Sequence, residues 1–358
     1  MRLHAVVLAG GAGERFWPAS RGARPKPFLE VVGGRSLLDA TLARARRSAG
    51  RDAVWVVCGR EHARAIRRAS GLPASRVLME PRRRNTAAAV ALAATRIAAA
   101  DPDAVLAVLP ADHYIPDERA FAADIRRAAA AARAAEVLVT LGVRPTRAET
   151  GYGYIEVGAP VGSAHPGLHR VRRFVEKPDA ARARRFQRSG RHLWNAGIFV
   201  WSARTILAEI AEHAPGLHRA LTPVRRAGAR ATRDAVERAY RRAPSLPIDV
   251  AVLERSRRVW TLPVRWHWSD VGTWESLAGE LGVAPGRSRV LGGGALVHDD
   301  LGGNLVWGRP ERPIALLGVE GLAVVDAGDA LLVARLDRSN QVRGIVKGLK
   351  AKGRLDVT

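Results

Sequence analysis

Cysteine is all but missing from this chain. Cys58 stands alone among 358 residues, so no disulfide can form within it. It closes the apolar run Ala53–Val57 and reads as a buried core thiol rather than a reactive one. Long apolar runs are missing too. None reaches the roughly 20 residues that a membrane-spanning helix requires. No internal repeat and no low-complexity linker interrupts the chain, and no Ser/His/Asp set for nucleophilic catalysis is visible. The first apolar run starts almost at Met1, leaving no room for a charged region and cleavage site, so a secretory leader is not expected. With the lone cysteine, this gives the expectation of a cytoplasmic protein.

Acidic residues are outnumbered. Asp and Glu total 34 against 58 Lys and Arg, a formal net charge of +24. Such an excess can serve nucleic-acid binding, steer polyanionic substrates, or follow from an Arg- and Ala-rich residue usage. The arginines are scattered over helical faces (Arg44, Arg46, Arg47; Arg64, Arg67, Arg68; Arg126, Arg127, Arg133) and are not interleaved with aromatics. That pattern favours residue usage with some steering, and speaks against a nucleic-acid partner.

What the chain does have begins at its start. The apolar run His4 to Leu8 reads as a buried strand and breaks into Ala9-Gly10-Gly11-Ala12-Gly13-Glu14-Arg15, with Arg24-Pro25-Lys26-Pro27 following. Glycines let backbone N–H groups approach a phosphate, and Arg15 and Lys26 can neutralise its charge. Two familiar phosphate loops fail on the residues. A dinucleotide fingerprint needs a third glycine where Phe16 stands, and a Walker loop needs Gly-Lys-Ser/Thr, absent after Gly13. A loop that merely links strand to helix is the alternative, against which stand the proline-locked basic residues.

Apolar runs then alternate with helical patterns. Strands are expected at Leu3–Leu8, Ala53–Cys58, Val77–Glu80, Ala104–Leu109 and Val137–Val143. Helices are expected at Ser36–Arg47, Glu61–Ala69, Thr86–Ala99 and Asp117–Ala134. This alternation implies an α/β fold with a mainly parallel sheet in the first half, helices on both faces and ligands beyond the carboxyl ends of the strands. The middle reads as mixed, with strands at Tyr154–Val157, Arg170–Glu176 and Ala196–Ser202, a helix at Arg204–His213 and a long solvated helix at Arg225–Arg242. From Arg287 onward short β segments alternate with glycines, at Val290–Leu291, Ala295–Val297, Asn304–Val306, Ile314–Leu317, Leu322–Asp326 and Ala330–Ala334. A short helix over Arg338–Lys350 ends the pattern.

Gly10-Gly11-x-Gly13-x-Arg15, with Pro18, Ser20 and Pro25-Lys26-Pro27, resembles the signature of the sugar-phosphate nucleotidyltransferases. Phe16-Trp17-Pro18-Ala19-Ser20-Arg21 and Pro25-Lys26-Pro27-Phe28-Leu29 are most similar to the mannose-1-phosphate guanylyltransferases (GDP-mannose pyrophosphorylases) within that family. Pro27 departs from the family's frequent Gln and leaves Lys26 untouched. The resemblance extends over about the whole chain. It implies a Rossmann-like mixed sheet flanked by helices, of the GT-A-like nucleotidyltransferase kind, in a catalytic domain over 1–284. It also implies a small left-handed β-helix-like domain with a terminal helix over 285–358, of a kind often used for homodimer contacts. Some members carry a further cupin-type isomerase domain. This chain ends short of one, which gives the expectation of a single activity. The implied reaction moves GMP from GTP to α-D-mannose 1-phosphate with Mg²⁺, giving GDP-mannose and pyrophosphate.

Phosphoryl transfer needs charge, in-line positioning and a hard cation rather than a protein nucleophile. Asp112, in Leu109-Pro110-Ala111-Asp112-His113, follows a strand. It reads either as a cap of the next helix or as a metal ligand, and the resemblance implies the latter. Asp270, in Trp266-His267-Trp268-Ser269-Asp270-Val271-Gly272-Thr273-Trp274, matches the family's second metal carboxylate although His267 departs there. The three tryptophans around it read as core. His113 is left structural, because Mg²⁺ prefers oxygen. Glu80, in Glu80-Pro81-x-x-Arg84-Asn85-Thr86, stands at a strand end, where a carboxylate can accept from the two adjacent N–H donors of guanine. The backbone of Leu8, Ala9 and Gly10 would complete the nucleotide contacts, and Asn85 and Thr86 either cap the next helix or assist. For the sugar phosphate the resemblance implies Gly153 in Gly151-Tyr152-Gly153-Tyr154, Glu176 and Lys177 before Pro178, and Asn195 in Trp194-Asn195-Ala196-Gly197. Glu176 would bind sugar hydroxyls and Lys177 the phosphate. A relative with another base or sugar, such as a glucose-1-phosphate thymidylyltransferase, would share the loop and both aspartates. A non-catalytic anion-binding protein is the further alternative.

Overall fold

The computed structural model describes residues 2–358 except Ala12, Ala23, 294–295 and 300–301. In chain order the strands are β1 (Leu3–Ala9), β2 (Glu30–Val32), β3 (Arg35–Ser36), β4 (Val54–Gly59), β5 (Val77–Glu80), β6 (Val105–Pro110), β7 (Leu138–Val143), β8 (Tyr154–Pro160), β9 (His169–Val175), β10 (His192–Ser202), β11 (Val259–Val264), β12 (Arg289–Leu291), β13 (Leu296–Asp299), β14 (Leu305–Trp307), β15 (Ile314–Leu316), β16 (Leu322–Asp326) and β17 (Leu331–Arg335). The helices are α1 (Leu37–Ala49), α2 (Ala63–Ser70), α3 (Asn85–Ala98), α4 (Glu118–Ala135), α5 (Ala180–Ser189), α6 (Ala203–His213), α7 (Pro215–Ala227), α8 (Arg233–Arg242), α9 (Trp274–Glu280) and α10 (Val342–Ala351).

Packing divides the chain into two compact units that interleave along the sequence. The first takes Met1–Gly10, Thr41–Ala111 and Ile115–Trp268. The second takes Gly11–Ala40, Asp112–Tyr114 and Ser269–Thr358. A boundary drawn along the chain at 284/285 describes sequence order, whereas these units describe packing.

The first unit is built on a nine-stranded sheet in the order β5-β4-β1-β6-β10-β7-β11-β9-β8. β1 is apolar on both faces, with Ala5, Val6 and Val7 wholly buried, as a central parallel strand must be. β4 and β6 flank it in parallel, and β5 extends the parallel half beyond β4. From β6 onward the sheet is mixed. β10 runs antiparallel to β6 and β7, β11 runs parallel to β7, and β9 and β8 close the edge antiparallel. The α/β class with a mixed sheet and flanking helices is therefore observed. α3 is buried nearly all round, from Ala87 to Ala94, because its alanines let the backbone lie close against its neighbours.

The second unit carries the β2–β3 hairpin, α9 and a C-terminal coil of strands. Here successive strands alternate between two small sheets. β12, β14 and β16 stack in parallel in one, with β17 antiparallel at its edge, and β13 and β15 stack in parallel in the other. Alternation of this kind is the winding of a β-helix. Buried Asn304 ties its turns, donating to the carbonyls of Gly302 and Val319 and accepting from the Leu322 N–H at 3.0 Å. The core joins Phe16, Trp17 and Leu29 to Val271, Trp274, Leu305, Leu332, Val342 and Val346.

Some local expectations need correcting. The long helix over Arg225–Arg242 is two helices. α7 ends at Ala227, Gly228 takes φ 55, and α8 restarts at Arg233 behind a Thr232 cap. Nor is that stretch wholly solvated, since Ala239 and Tyr240 are buried. β10 begins at His192 rather than Ala196, which puts Asn195 inside a strand. The terminal helix begins at Val342, after a 3₁₀ segment over Leu336–Gln341. In the strand expected at Ala295–Val297, Ala295 lies outside the described residues, and β13 starts at Leu296. The β2–β3 hairpin, α5, β11 and α9 had no clear periodicity to announce them.

Candidate active site

The candidate phosphate cleft belongs to the second unit. It encloses about 320 Å³ and is lined by Gly13, Glu14, Arg15, Phe16, Lys26, Asp112, His113, Asp270, Gly272 and Arg343. Gly13 takes φ 62, and a Cβ there would meet Lys26 Cβ at 2.5 Å and Ser20 Oγ at 2.7 Å. Only glycine lets the loop close over the lysine. Gly11 is exposed beside it. Lys26 is buried, and its Nζ donates to Asp112 Oδ2 at 2.8 Å and to the Asp270 carbonyl at 2.7 Å. A single ammonium thus links both predicted metal carboxylates' loops. Antiparallel backbone bonds between Tyr114 and Ser269, at 2.9 and 3.0 Å, fix those loops side by side. Burial pushes the Asp112 carboxyl up, but Lys26 and His113 outweigh it and hold the group below the ordinary aspartate value. Asp270 Oδ1 accepts from the Gly272 N–H at 3.1 Å, and the turn is completed by Val271 at φ 43, a costly conformation for a β-branched residue. Among the described residues the Arg15 guanidinium has no ion pair, which leaves it available to an anion. Phe16, its ring tilted against that of Trp274 at 4.7 Å between centroids, backs the cleft.

In the first unit, Glu80 ends β5 and is buried. A methyl group at Gly10 would lie 3.2 Å from Glu80 Oε2, so that oxygen faces the turn after β1. The Leu8 carbonyl accepts from the Ala111 N–H, and Ala9 is in register with Cys58, so Gly10 is the first residue of the run past the strand. The Tyr240 hydroxyl donates to Glu80 Oε1 at 3.2 Å. Burial is the largest influence on Glu80 and lifts its carboxyl to about 7 despite that donor. Asn85 opens α3 at φ 63 with its Oδ1 on the Thr86 N–H, and Thr86 Oγ1 accepts from the Ile248 N–H at 2.8 Å. Neither is a conventional N-cap of α3.

The expected sugar residues also meet in the first unit. A Cβ on Gly153 would lie 2.7 Å from Glu176 Oε2 and 3.4 Å from Asn195 Cβ, so glycine is what admits them together. β9 ends at Val175, and Lys177 turns at φ 44 to put its Nζ on Glu176 Oε1. Asn195 Oδ1 accepts from Thr140 Oγ1 at 3.0 Å, and its Nδ2 donates to Asp249 Oδ1 at 2.8 Å.

Tyr240 and Asp249 are the residues that sequence reasoning missed here. Tyr240 gave no signal, since it sits 160 positions from its partner on a charged helix. Asp249 gave one: it is the sole acid entering the apolar run Ile248–Leu253, which forms a single π-helical turn of a kind often kept at functional sites. Burial and then the Glu176 charge raise its carboxyl to about 7. Cys58 is buried as expected, with its thiol pushed up to about 12 and so inert. Among the described residues no helix is long and apolar enough to cross a membrane.

Known proteins can be set against this geometry. The family model described as nucleotidyl transferase matches residues 4–280, and that described as the MannoseP isomerase/GMP-like beta-helix domain matches 297–349. The alginate biosynthesis protein AlgA of Pseudomonas aeruginosa is 37% identical over 98% of this chain and 72% of its own length. A mannose-1-phosphate guanylyltransferase of Escherichia coli is 36% identical over 98% of this chain and 74% of its own. A crystal structure from Thermus thermophilus, described as a mannose-1-phosphate geranyltransferase, superposes with a TM-score of 0.87 at 37% identity, over 98% of this chain and 100% of that one. With the glycine loop, both cleft carboxylates and the β-helix in place, the chain belongs to the nucleotidyl transferase family.

Proposed function

We propose that this chain transfers GMP from GTP to α-D-mannose 1-phosphate, releasing GDP-mannose and pyrophosphate. The observation that carries the reading is the gathering of Arg15, Lys26, Asp112 and Asp270 on one cleft. The relatives' printed names supply the sugar, and buried Glu80 beside Gly10 supports the base. A phosphate oxygen of mannose 1-phosphate attacks the α-phosphorus of GTP in line, and the bond to the β-phosphate bridging oxygen breaks. No covalent intermediate on the protein is required. Glu80 accepts from the guanine N1–H and N2–H₂ donors, a pair that adenine and the pyrimidines do not present together. Gly153, Glu176, Lys177 and Asn195 bind the sugar phosphate, with Lys177 on its phosphate. Gly11 and Gly13 bring backbone N–H groups to the triphosphate, while Arg15 and Lys26 stabilise the charge that builds on the departing pyrophosphate.

Asp112 and Asp270 suit a Mg²⁺ ion. They are hard oxygen donors opening on one cleft, with Asp112 held ionised, and substrate phosphates and water would complete the shell. When bound, the ion would neutralise phosphate charge and polarise the reacting phosphoryl group. A cytoplasmic location fits these substrates.

The test is a specificity panel. Pyrophosphate release is measured with GTP, ATP, UTP and dTTP, each against mannose 1-phosphate and glucose 1-phosphate. GTP with mannose 1-phosphate is expected to lead by a wide margin, and a preference for dTTP or UTP overturns the guanylyl reading. Nucleotide binding without turnover would favour an anion-binding role.

A further inference from the structure

α10 lies outside the stretch matched by the nucleotidyl transferase family model, yet one of its residues, Arg343, stands in the wall of the phosphate cleft. The placement is built from the sequence. Val342, Val346 and Leu349 recur at helical spacing and pack into the core that also holds Phe16 and Trp17. That packing leaves Arg343 and Lys350, two helical turns apart, on another common stripe. Both cations close on Glu14. Lys350 Nζ lies 2.7 Å from Glu14 Oε1, and Arg343 Nε lies 3.4 Å from Glu14 Oε2. Glu14 is the residue between Gly13 and Arg15, where a bare carboxylate would repel an incoming polyphosphate. The Arg343 side chain stays 72% exposed, so the guanidinium keeps donors that the ion pair does not use.

We propose that α10 is a working part of the polyphosphate site. Lys350 is a positioning residue: it neutralises Glu14 and holds the Gly13–Arg15 turn. Arg343 shares that task and also donates to a phosphate oxygen of the bound polyphosphate. The ligand class is the β,γ-diphosphate moiety of a nucleoside triphosphate and, in the reverse direction, inorganic pyrophosphate. The proposal rests on the reading of this cleft as the triphosphate site.

The test titrates inorganic pyrophosphate, and separately GTP, into the full chain with Mg²⁺ by calorimetry. Arg343→Ala should weaken both ligands by the same factor, about tenfold, as expected for one charge-assisted hydrogen bond, and Arg343→Lys should recover part of the loss. Lys350→Ala should weaken them less, and its effect should vanish in a Glu14→Gln background, because Lys350 acts through that carboxylate. Lys347→Ala removes a charge from the same helix without touching the cleft and should leave both affinities within about twofold of the parent. Thermal melting checks that the exposed-site variants stay folded. A wild-type chain that binds pyrophosphate with an Arg343→Ala variant that binds it equally well sinks the proposal while leaving the proposed reaction standing. Equal losses in Arg343→Ala and Lys347→Ala also sink it, by showing only a general field. A wild-type chain that binds no pyrophosphate removes the triphosphate reading itself.

Discussion

If Glu80 reads the guanine edge as proposed, its burial makes base recognition pH-dependent, in a direction that can be worked out beforehand. Its group titrates at about 7 against an ordinary 4.5, chiefly because burial disfavours the anion. A shift of that size corresponds to about 3 kcal/mol favouring the neutral form. Guanine offers two donors and requires the anion, so binding must first ionise Glu80. At about pH 8 little is lost. At about pH 6 roughly one molecule in ten carries the anion, and apparent affinity should fall about tenfold. GDP-mannose is the suitable probe, because it has no terminal phosphate to titrate in the same window. Its dissociation constant is measured by calorimetry across this range. Glu80→Gln should bind more weakly at high pH and show a flat profile. Tyr240→Phe removes the donor to Glu80 Oε1, which holds the carboxyl down, so the midpoint should move to higher pH. The sign for folding is opposite to that of an ordinary salt-bridged acid. A carboxyl raised in the folded state adds stability below its unfolded value, and that contribution is lost as pH rises through about 7. A wild-type binding profile that stays flat across this window would refute the reasoning and return Glu80 to a structural role.

Three more outcomes are expected. Asp112→Asn and Asp270→Asn should each lower Mg²⁺-dependent turnover by roughly a hundred- to a thousandfold while the chain still folds, Asp112→Asn with a lowered melting temperature because it weakens the partner of buried Lys26, and near-normal rates in either would remove it from the metal site. Asp249→Asn should raise KM for mannose 1-phosphate by about tenfold with a smaller effect on kcat, because it alters the partner of Asn195 rather than the reacting phosphates; equal losses in both parameters would argue against a binding role. Gly153→Ala places a methyl group 2.7 Å from Glu176 Oε2 and should weaken sugar-phosphate binding while leaving GTP affinity alone, as parallel titrations would reveal.

Most of the parallel half-sheet was legible because its signal is local. β5 falls on the expected Val77–Glu80, and β1, β4, β6 and β7 lie within a residue or two of their apolar runs. The cleft residues were legible for another reason. Glycine loops and acids that follow strands stand out against apolar runs, so Gly13, Lys26 and Asp112 could be picked on that ground, and Asp270 by its resemblance to the family's motif, without knowing that Lys26 would join the two acids. What stayed hidden is non-local. The break between α7 and α8 depends on Gly228, which a helical pattern can tolerate on propensity alone. Tyr240, Asp249 and Arg343 meet partners far along the chain, and no spacing rule reaches from Glu80 to Tyr240 or from Glu14 to Arg343.

Backbone strain offers an independent check on which motifs do chemical work. The described residues include four non-glycine positions with positive φ: Asn85, Glu136, Lys177 and Val271. Glu136 ends α4, where a left-handed residue commonly closes a helix. The other three fall inside the motifs assigned to base, sugar phosphate and metal. Asn85 is a residue type that enters the left-handed region at little cost, whereas Lys177 is not, and Val271 is wholly buried and β-branched. Strain of this kind persists only where the surroundings over-determine it, here through the Asp270–Gly272 hydrogen bond and the Tyr114–Ser269 ladder. Relaxing Val271 to glycine should therefore make the chain no less stable by way of this turn, yet free Asp270 to wander and lower kcat. The melting temperature and kcat of Val271→Gly then separate the two roles, after allowance for the lost side chain through Val271→Ala. If Val271→Gly and Val271→Ala match in both measurements, the left-handed turn contributes nothing to the placement of Asp270.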